Sequence, residues 1–263
     1  MELLECQNAS TSFLDRVKSV RERVLLLDYD GTLAPFTRQR NQAFPYPDVP
    51  ALLNALIMKG TRVALISGRP ARELATLSGF RPQPEIWGSY GLEHLTADGN
   101  YEFEQPTPLQ AAGMVAALGT LQGNGFEGRV ERKPSGIALH VRGLDADRAA
   151  HLRDEVLGRW TPIAAAHSLR LLNFDGGIEL CVPVASKGRA IHTILQQHGP
   201  DAAIAYLGDD ETDEDAFVAL KGRGLAVLVR PESRPTSADL WLKPPEELYQ
   251  FLHQWLLACG GEA

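Results

Sequence analysis

The sequence predicts an α/β fold built on a parallel sheet, with a second, α+β unit inserted into it. The first observation behind this is a set of apolar runs of strand length, at 24–27, 63–66, 203–207 and 225–229, with no polar alternation. Strands covered on both faces by helices read this way. The second is a change of pattern between 106 and 183, where helix, two alternating strands, helix and two alternating strands follow one another. That order describes an antiparallel α+β layer. The expected units are therefore a core of residues 1–105 and 184–263 and an inserted unit of residues 106–183.

The elements follow in order. Phe13, Leu14, Val17 and Val20 recur at helical spacing, with Ser10, Thr11 or Ser12 as a cap. The strand at 24–27 breaks abruptly at Asp28-Tyr29-Asp30-Gly31-Thr32, and the stretch 35–50, with four prolines, reads as loop. Val49, Leu52, Leu53, Leu56 and Ile57 share one face of a helix over 49–58, with Gly60 as its stop. A strand over 62–66 then ends in Ser67-Gly68-Arg69-Pro70 and a further helix. Strand, helix and strand at this spacing make a right-handed parallel crossover. A short strand at 86–87 and a hairpin, 92–95 with 101–103 around Asp98-Gly99-Asn100, complete the first half of the core.

In the inserted unit, helices are expected at 109–121 and 145–160. Strand pairs are expected at 128–133 with 137–142 and at 169–173 with 178–182, and Gly123-Asn124-Gly125 and Asp175-Gly176-Gly177 read as turns. After Pro183 the α/β pattern returns, with a helix over 189–198 opened by Ser186-Lys187-Gly188. Strands at 203–207 and 225–229, an edge at 240–242 and a helix over 246–257 close the chain.

Composition sets limits. At 263 residues the chain can bury a large core, and 44% hydrophobic with 22% charged residues is ordinary for a soluble globular protein. A net charge of −7 without a dense basic run argues against nucleic-acid binding. An anionic substrate would need locally placed cations. Cys6, Cys181 and Cys259, odd in number and without paired spacing, suit reduced thiols in the cytoplasm. Residues 1–8 carry Glu2 and Glu5 and do not read as a signal peptide, and no apolar stretch has the length of a membrane span.

In open α/β sheets, ligands bind beyond the carboxyl ends of the strands. Three apolar runs here end in chemistry: Asp28-Tyr29-Asp30-Gly31, Ser67-Gly68-Arg69 and Gly208-Asp209-Asp210. Oxygen donors alone suit Mg²⁺ together with substrate phosphate oxygens. A plain turn would also use Asp-Gly, whereas a calcium loop needs its glycine sixth, not fourth as Gly31 stands from Asp28. The Ser67 hydroxyl and the amides opening the next helix can hold a phosphate, or Ser67 can cap that helix. Lys187 at a helix start is disfavoured by the dipole, so either it is simply solvated or an acidic cluster with a phosphate gives it a reason. Six acids within 209–215 repel one another unless a cation or solvent relieves them. A helix N-terminus would account for Glu214 and Asp215, but less well for Asp209 and Asp210 at the strand's end. His94 lies in the hairpin and is taken as structural.

Alternation makes the inserted unit informative. Arg129, Glu131 and Lys133 share one strand face, and Ala138, His140 and Arg142 share another. A loop with an even number of residues brings the two polar faces together, and Glu179 extends them. Such a surface is either a solvated sheet face or one suited to a polyhydroxylated ligand, because carboxylates accept from hydroxyls and cations donate to them.

The four segments around Asp28, Ser67, Lys187 and Gly208-Asp209-Asp210, in this order and on these strands, resemble the motifs of the haloacid-dehalogenase (HAD) superfamily of phosphatases. Asp-Tyr-Asp-Gly-Thr-Leu, Ser-Gly-Arg, Gly-Leu-Glu-His, Glu-x-Lys followed by His-x-Arg, and Gly-Asp-Asp-x-Thr-Asp-Glu-Asp-Ala-Phe are similar to its trehalose-6-phosphate phosphatases. The resemblance implies a Rossmann-like core, an inserted cap, and a sugar-phosphate substrate supplied by a trehalose-phosphate synthase. It implies Asp28 as nucleophile, Asp30 as proton donor and acceptor, and Mg²⁺ held by Asp28, the Asp30 carbonyl and Asp209, with Asp210 or Asp213 behind them. Ser67, Gly68, Arg69 and Lys187 would surround the phosphoryl group, and Glu131, Lys133, His140, Arg142 and Glu179 the sugar. One departure is that Cys181 and Val182 stand where the family carries a basic residue and proline. A phosphatase for another sugar phosphate, such as sucrose 6-phosphate, and a non-catalytic regulatory domain of the same fold are the alternatives.

Overall fold

The structure is a computed structural model describing residues 2–261, apart from 38, 123–125, 127 and 175, with the backbone alone for 2–10. The expected Gly123-Asn124-Gly125 turn, and Asp175 of the other turn, lie outside the described residues. Helix α1 (Glu2–Ser19) starts earlier than the cap at Ser10–Ser12 suggested. The first half of the core then runs β1 (Arg23–Leu27), α2 (Val49–Met58), β2 (Thr61–Ile66), α3 (Ala71–Ser78), β3 (Glu85–Gly88) and the hairpin β4 (Glu93–Leu95) and β5 (Tyr101–Phe103). The inserted segment holds α4 (Pro108–Gly119), β6 (Val130–Lys133), β7 (Gly136–His140), α5 (Ala146–Ala166), β8 (Arg170–Phe174) and β9 (Gly177–Cys181). The second half of the core is α6 (Lys187–Gln196), β10 (Ala203–Gly208), α7 (Glu214–Leu220), β11 (Leu225–Val229), β12 (Leu240–Leu242) and α8 (Glu246–Ala258).

The core sheet has eight strands in the order β12-β11-β10-β1-β2-β3-β4-β5. The first six of these are parallel, and the β4–β5 hairpin adds an antiparallel edge. The apolar runs lack alternation because both sheet faces are covered. In β1, Leu25 and Leu27 pack in one cluster with Val17, Leu53 and Leu252 from α1, α2 and α8, while Val24 and Leu26 pack in another with Ile191 and Phe217 from α6 and α7. Truncating one such leucine to alanine would cost about 2–5 kcal/mol.

Strand β1 lies between β2 and β10, whose windings run in opposite directions away from it, so β1 stands at the switch point of the sheet. Leu27 is level with Leu65 of β2 and with Leu207 of β10. The residues that follow these three positions therefore emerge together at one edge.

The inserted segment forms a four-stranded antiparallel sheet, β6-β7-β9-β8. Helices α4 and α5 cover one face, where Ala117, Val156 and Trp160 pack on Ile137, Leu139, Ile178 and Leu180. Helix α5 runs past residue 160 through Pro162 to Ala166. The packing of Ile163 and Ala164 on this cluster outweighs the hydrogen bond that proline removes. Thr107 and Gln110 cap α4 reciprocally. Among the described residues no helix is long and apolar enough to cross a membrane.

Candidate active site

Asp28 continues β1 by one residue, its amide donating to the Leu207 carbonyl at 2.8 Å, and its carboxylate is buried. The chain then turns at Gly31, whose φ is +86°. A Cβ there would lie 2.2 Å from Asp209 Oδ2, so the glycine provides both the left-handed backbone and room for the second acid. After β2, Gly68 provides room alone: a Cβ would stand 2.6 Å from the Tyr90 ring.

Lys187 Nζ lies 2.9 Å from Asp28 Oδ1 and 2.7 Å from Asp213 Oδ1, with all three side chains buried. Its place at the start of α6, capped by Ser186, is thus explained by the acids it faces. Burial alone would push this ammonium down, but Asp213 and Asp28 together lift it above its ordinary value. Burial pushes the Asp28 carboxyl up to about 7 despite the opposing pull of Lys187. Asp209 is raised well above its ordinary value, first by burial and then by Asp28.

Asp28, Asp209 and Asp213 carry oxygens within 4.8 Å of one another, yet they differ in how those oxygens are used. Asp213 is fully engaged: Oδ1 accepts from Lys187 and the Tyr206 hydroxyl, and Oδ2 from the amides of Asp209 at 3.0 Å and Asp210 at 2.9 Å. Asp209 Oδ1, in contrast, is buried and has no hydrogen-bond partner among the described residues. An orphaned carboxylate oxygen beside a second acid fits a hard divalent cation, and Mg²⁺ among them. Asp213 orients the acidic loop behind this pair. Arg230 and Arg234 donate to the carbonyls of Asp209 and Asp210, and Arg234 pairs with Glu214, which relieves the run of six acids.

Asp30 faces a cation of its own. Arg69 Nε donates to Asp30 Oδ2 at 2.6 Å and Nη2 to Oδ1 at 2.7 Å, a two-pronged clamp. The same guanidinium donates to Glu73 at 2.9 Å and to the Arg40 carbonyl at 3.0 Å. Arg69, expected against phosphate, is in this arrangement engaged in holding Asp30. The Ser67 hydroxyl accepts from the Arg69 amide at 3.2 Å.

The inserted sheet faces this edge. The loop between β6 and β7 is Pro134-Ser135, and the register sets Glu131 beside Ala138 and Ala138 beside Glu179. Glu131 meets His140 Nε2 at 2.8 Å and pairs with the Arg40 guanidinium. His140 is pushed down to about 4 by burial and then by Lys133, Arg40 and Arg142, so it stands neutral at pH 7. Arg142 lies over the Phe36 ring at 4.0 Å.

A single cleft of about 570 Å³ is lined by Asp28, Asp30, Ser67, Gly68, Arg69, Lys187 and Asp209 from the core and by Glu131, Lys133, His140 and Arg142 from the inserted unit. Its volume lies in the range of small-molecule sites. Of the expected site residues, Glu179 alone is not among the residues lining it. Its carboxylate is fully buried and pairs with Lys133 Nζ at 2.5 Å, with the Tyr90 hydroxyl at 3.3 Å and Ser135 Oγ at 3.4 Å beside it. His94, taken as structural, stacks on Trp87 and meets Glu85 at 2.8 Å. Cys181 is buried next to Arg170 in the sheet register.

Sequence reading missed Tyr90, Phe36, Glu73 and Arg40, all of which touch these residues. Tyr90 had a faint signal, since it follows Gly-Ser, and it adopts a φ of +56° that few side-chain-bearing residues take. Arg40 had none, because it stands in a loop with no period to read.

A switch-point sheet with aspartates at its carboxyl edge and an inserted α+β unit across that edge is also the fold of solved HAD-like hydrolases. A HAD-like hydrolase of Bacteroides thetaiotaomicron shares this fold at a TM-score of 0.61 and 15% identity, over 89% of this chain and 99% of that one. Residues 26–246 match the trehalose-phosphatase family model, and the chain belongs to that family. A trehalose-phosphate phosphatase of Mycobacterium avium is 32% identical over 252 residues, covering 88% of this chain and 61% of that protein. This chain thus spans less than two thirds of that relative's length. The C-terminal domain of a Candida albicans trehalose-6-phosphate phosphatase superimposes with a TM-score of 0.79 at 20% identity, over 96% of this chain and 97% of that one. The C-terminal domain of a C. albicans trehalose synthase regulatory protein does so at 0.71 and 14%, over 92% and 97%.

Proposed function

We propose that this chain hydrolyses trehalose 6-phosphate to trehalose and phosphate, with Asp28 as the nucleophile. The observation that carries this reading is the pairing of one cleft's two walls. Asp28, Lys187 and the orphaned Asp209 form one wall, and a polar sheet face of Glu131, Lys133, His140 and Arg142 forms the other.

The Asp28 carboxylate attacks phosphorus, and the bond from phosphorus to the sugar oxygen breaks as the aspartyl-phosphate forms. Asp30 turns one oxygen out of the Arg69 clamp and through it delivers a proton to the departing sugar oxygen, while its second oxygen stays with Arg69. After trehalose leaves, Asp30 takes a proton from water, the water oxygen bonds to phosphorus, and the Asp28–phosphorus bond breaks to free phosphate. Lys187 and Ser67 hold phosphoryl oxygens, and Lys187 also lowers the repulsion between phosphate and the buried acids. Asp28, the Asp30 carbonyl and Asp209 would hold Mg²⁺, whose chemistry is to neutralise phosphoryl charge and align the group for attack.

On the sugar side, Glu131 accepts from hydroxyls, and Lys133 donates to them while Glu179, buried behind it, fixes its position. A site that leaves such groups unpaired with the wrong ligand rejects that ligand strongly. The reading includes a cytoplasmic location and a trehalose-phosphate synthase as the source of substrate. A regulatory domain without turnover is the second reading, favoured only by the fold shared with the C. albicans regulatory protein. Fold alone does not decide between them, and the intact Asp28, Asp30, Lys187 and Asp209 favour the enzyme.

Phosphate release from a panel of sugar phosphates, with and without Mg²⁺, tests the proposal. Mg²⁺-dependent release with trehalose 6-phosphate preferred over sucrose 6-phosphate is expected. Release preferring another sugar would correct the substrate, and no release from any sugar phosphate would leave the regulatory reading.

A further inference from the structure

The Pro-rich loop between β1 and α2 carries contacts that join the two walls of the cleft, beside those of Tyr90 with Lys133 and Glu179. Arg40, a residue with no role in the reading above, stands at their centre. Its Nη1 pairs with Glu131 on β6 of the inserted unit. Its Nη2 lies 3.1 Å from Glu73 on α3 of the core, in ion contact but not aligned for a hydrogen bond. Its carbonyl accepts from Arg69 Nη2 at 3.0 Å, and Arg69 in turn clamps Asp30. Four residues before Arg40 in the same loop, Phe36 lies under the Arg142 guanidinium at 4.0 Å. Two side chains of one core loop thus grip β6 and the turn that follows β7 in the inserted unit.

We propose that Arg40 is a positioning residue that latches the inserted unit onto the core and holds Glu131 in place for the substrate, a role that rests on the sugar-phosphate reading only for its kinetic consequence. Three arguments carry it. Glu131 is mostly buried, at 16% side-chain exposure, so its charge needs a fixed partner. His140, the other group on it, is neutral, which leaves Arg40 as the cationic contact of that carboxylate among the described residues. Finally, guanidinium geometry allows one residue to bridge two carboxylates from separate units, which an ammonium does less well. Since Glu73 also binds Arg69, seating of the inserted unit is tied through two shared partners to the placement of Asp30.

The latch can be measured without turnover. Spin labels on Met58→Cys in α2 and Val115→Cys in α4, both exposed, with Cys6 and Cys259 replaced by serine, report the distance between the units. In the Arg40→Gln variant of this labelled protein, the distance distribution is expected to broaden and shift to longer values. Arg40→Lys is expected to recover it in part. A distribution unchanged by Arg40→Gln overturns the latch, whatever the substrate proves to be. The kinetic arm uses the best sugar phosphate of the panel in a double-mutant cycle of Arg40→Gln with Glu131→Gln. If Arg40 acts through Glu131, the double variant loses no more kcat/KM than the worse single variant, and the losses lie mainly in KM. Independent, multiplying losses would overturn that part of the proposal. Absence of turnover in the wild type would instead remove the phosphatase reading, and the distance measurement would still decide the latch.

Discussion

The core and the inserted unit bury their strands in different ways, and that difference governs where each can carry chemistry. In the core, β1 packs on both faces, with Leu25 and Leu27 toward one cluster and Val24 and Leu26 toward the other. No face is left for a ligand, so functional groups can stand only past the strand ends, where Asp28, Ser67 and Asp209 are found. In the inserted sheet only one face is covered, by α4 and α5. The other offers Glu131, Lys133 and His140 along the strands themselves. A two-sided sheet concentrates a few groups at a point, which suits bond breaking. A one-sided sheet spreads groups over an area, which suits recognition of a larger, hydroxyl-rich molecule.

Variants at the core's strand ends should give the largest losses. Asp28→Asn is expected to fold as wild type and fall to background turnover on every phosphate ester, since an amide cannot form the acyl phosphate. Asp30→Asn should lose ~10²–10⁴-fold in kcat, the usual contribution of a positioned acid and base. Steady-state rates on trehalose 6-phosphate and on para-nitrophenyl phosphate, with thermal melts to verify folding, check both. Near-normal turnover by folded Asp28→Asn would mean that the nucleophile lies elsewhere.

Metal removal comes next. Chelation should abolish activity and Mg²⁺ restore it, with Asp209→Ala requiring more metal. The pH dependence has a definite sign. The Asp28 carboxyl stands at about 7 before metal binds, so protons compete with the cation below that pH, and metal affinity should fall as pH drops from 8 toward 6. Calorimetric titration in two buffers of different ionisation enthalpy should show proton release on binding at about pH 6.5, shrinking toward pH 8.5. Equal affinity across that window would place the cation away from Asp28.

Smaller effects separate the two units by stability. Thr107→Ala removes the α4 cap and Ser186→Ala the α6 cap, each worth about 1 kcal/mol. Both should lower the melting temperature by similar amounts. Ser186→Ala should also slow turnover, because Ser186 precedes Lys187, whereas Thr107→Ala should act on stability alone. Melts and initial rates measured on the same samples distinguish them.

The core was more legible in the sequence than the inserted unit, for a physical reason. A strand end is local, so Asp28, Ser67 and Asp209 announce themselves within a few residues of an apolar run. The polar face of the inserted sheet depends on register, which the sequence left conditional on a loop of even length, and the fold settles it because Gly136 joins β7 and leaves Pro134-Ser135 as the loop. What alternation could not give was depth. Glu179 lies on that face but is sealed behind Lys133, because the Tyr90 ring, from a core turn, closes over the pair. Likewise Ser-Gly-Arg suggested phosphate contact for Arg69, and only the fold sets its guanidinium against Asp30. Arg40 and Phe36 were silent because loop side chains find their partners through tertiary packing alone.

The central claim is that the core breaks the phosphate ester while the inserted unit chooses the sugar. Glu131→Gln tests it most directly, because this side chain is partly exposed and its loss does not strand a buried ammonium, as Glu179→Gln would strand Lys133 at a cost of about 3–5 kcal/mol. The measurement is the ratio of kcat/KM for trehalose 6-phosphate to that for para-nitrophenyl phosphate, in wild type and in the folded variant. A lost charge-assisted hydrogen bond of about 1.5–3 kcal/mol should lower that ratio roughly 10- to 100-fold. An unchanged ratio, whether both rates hold or both fall together, would contradict the division of labour between the two units.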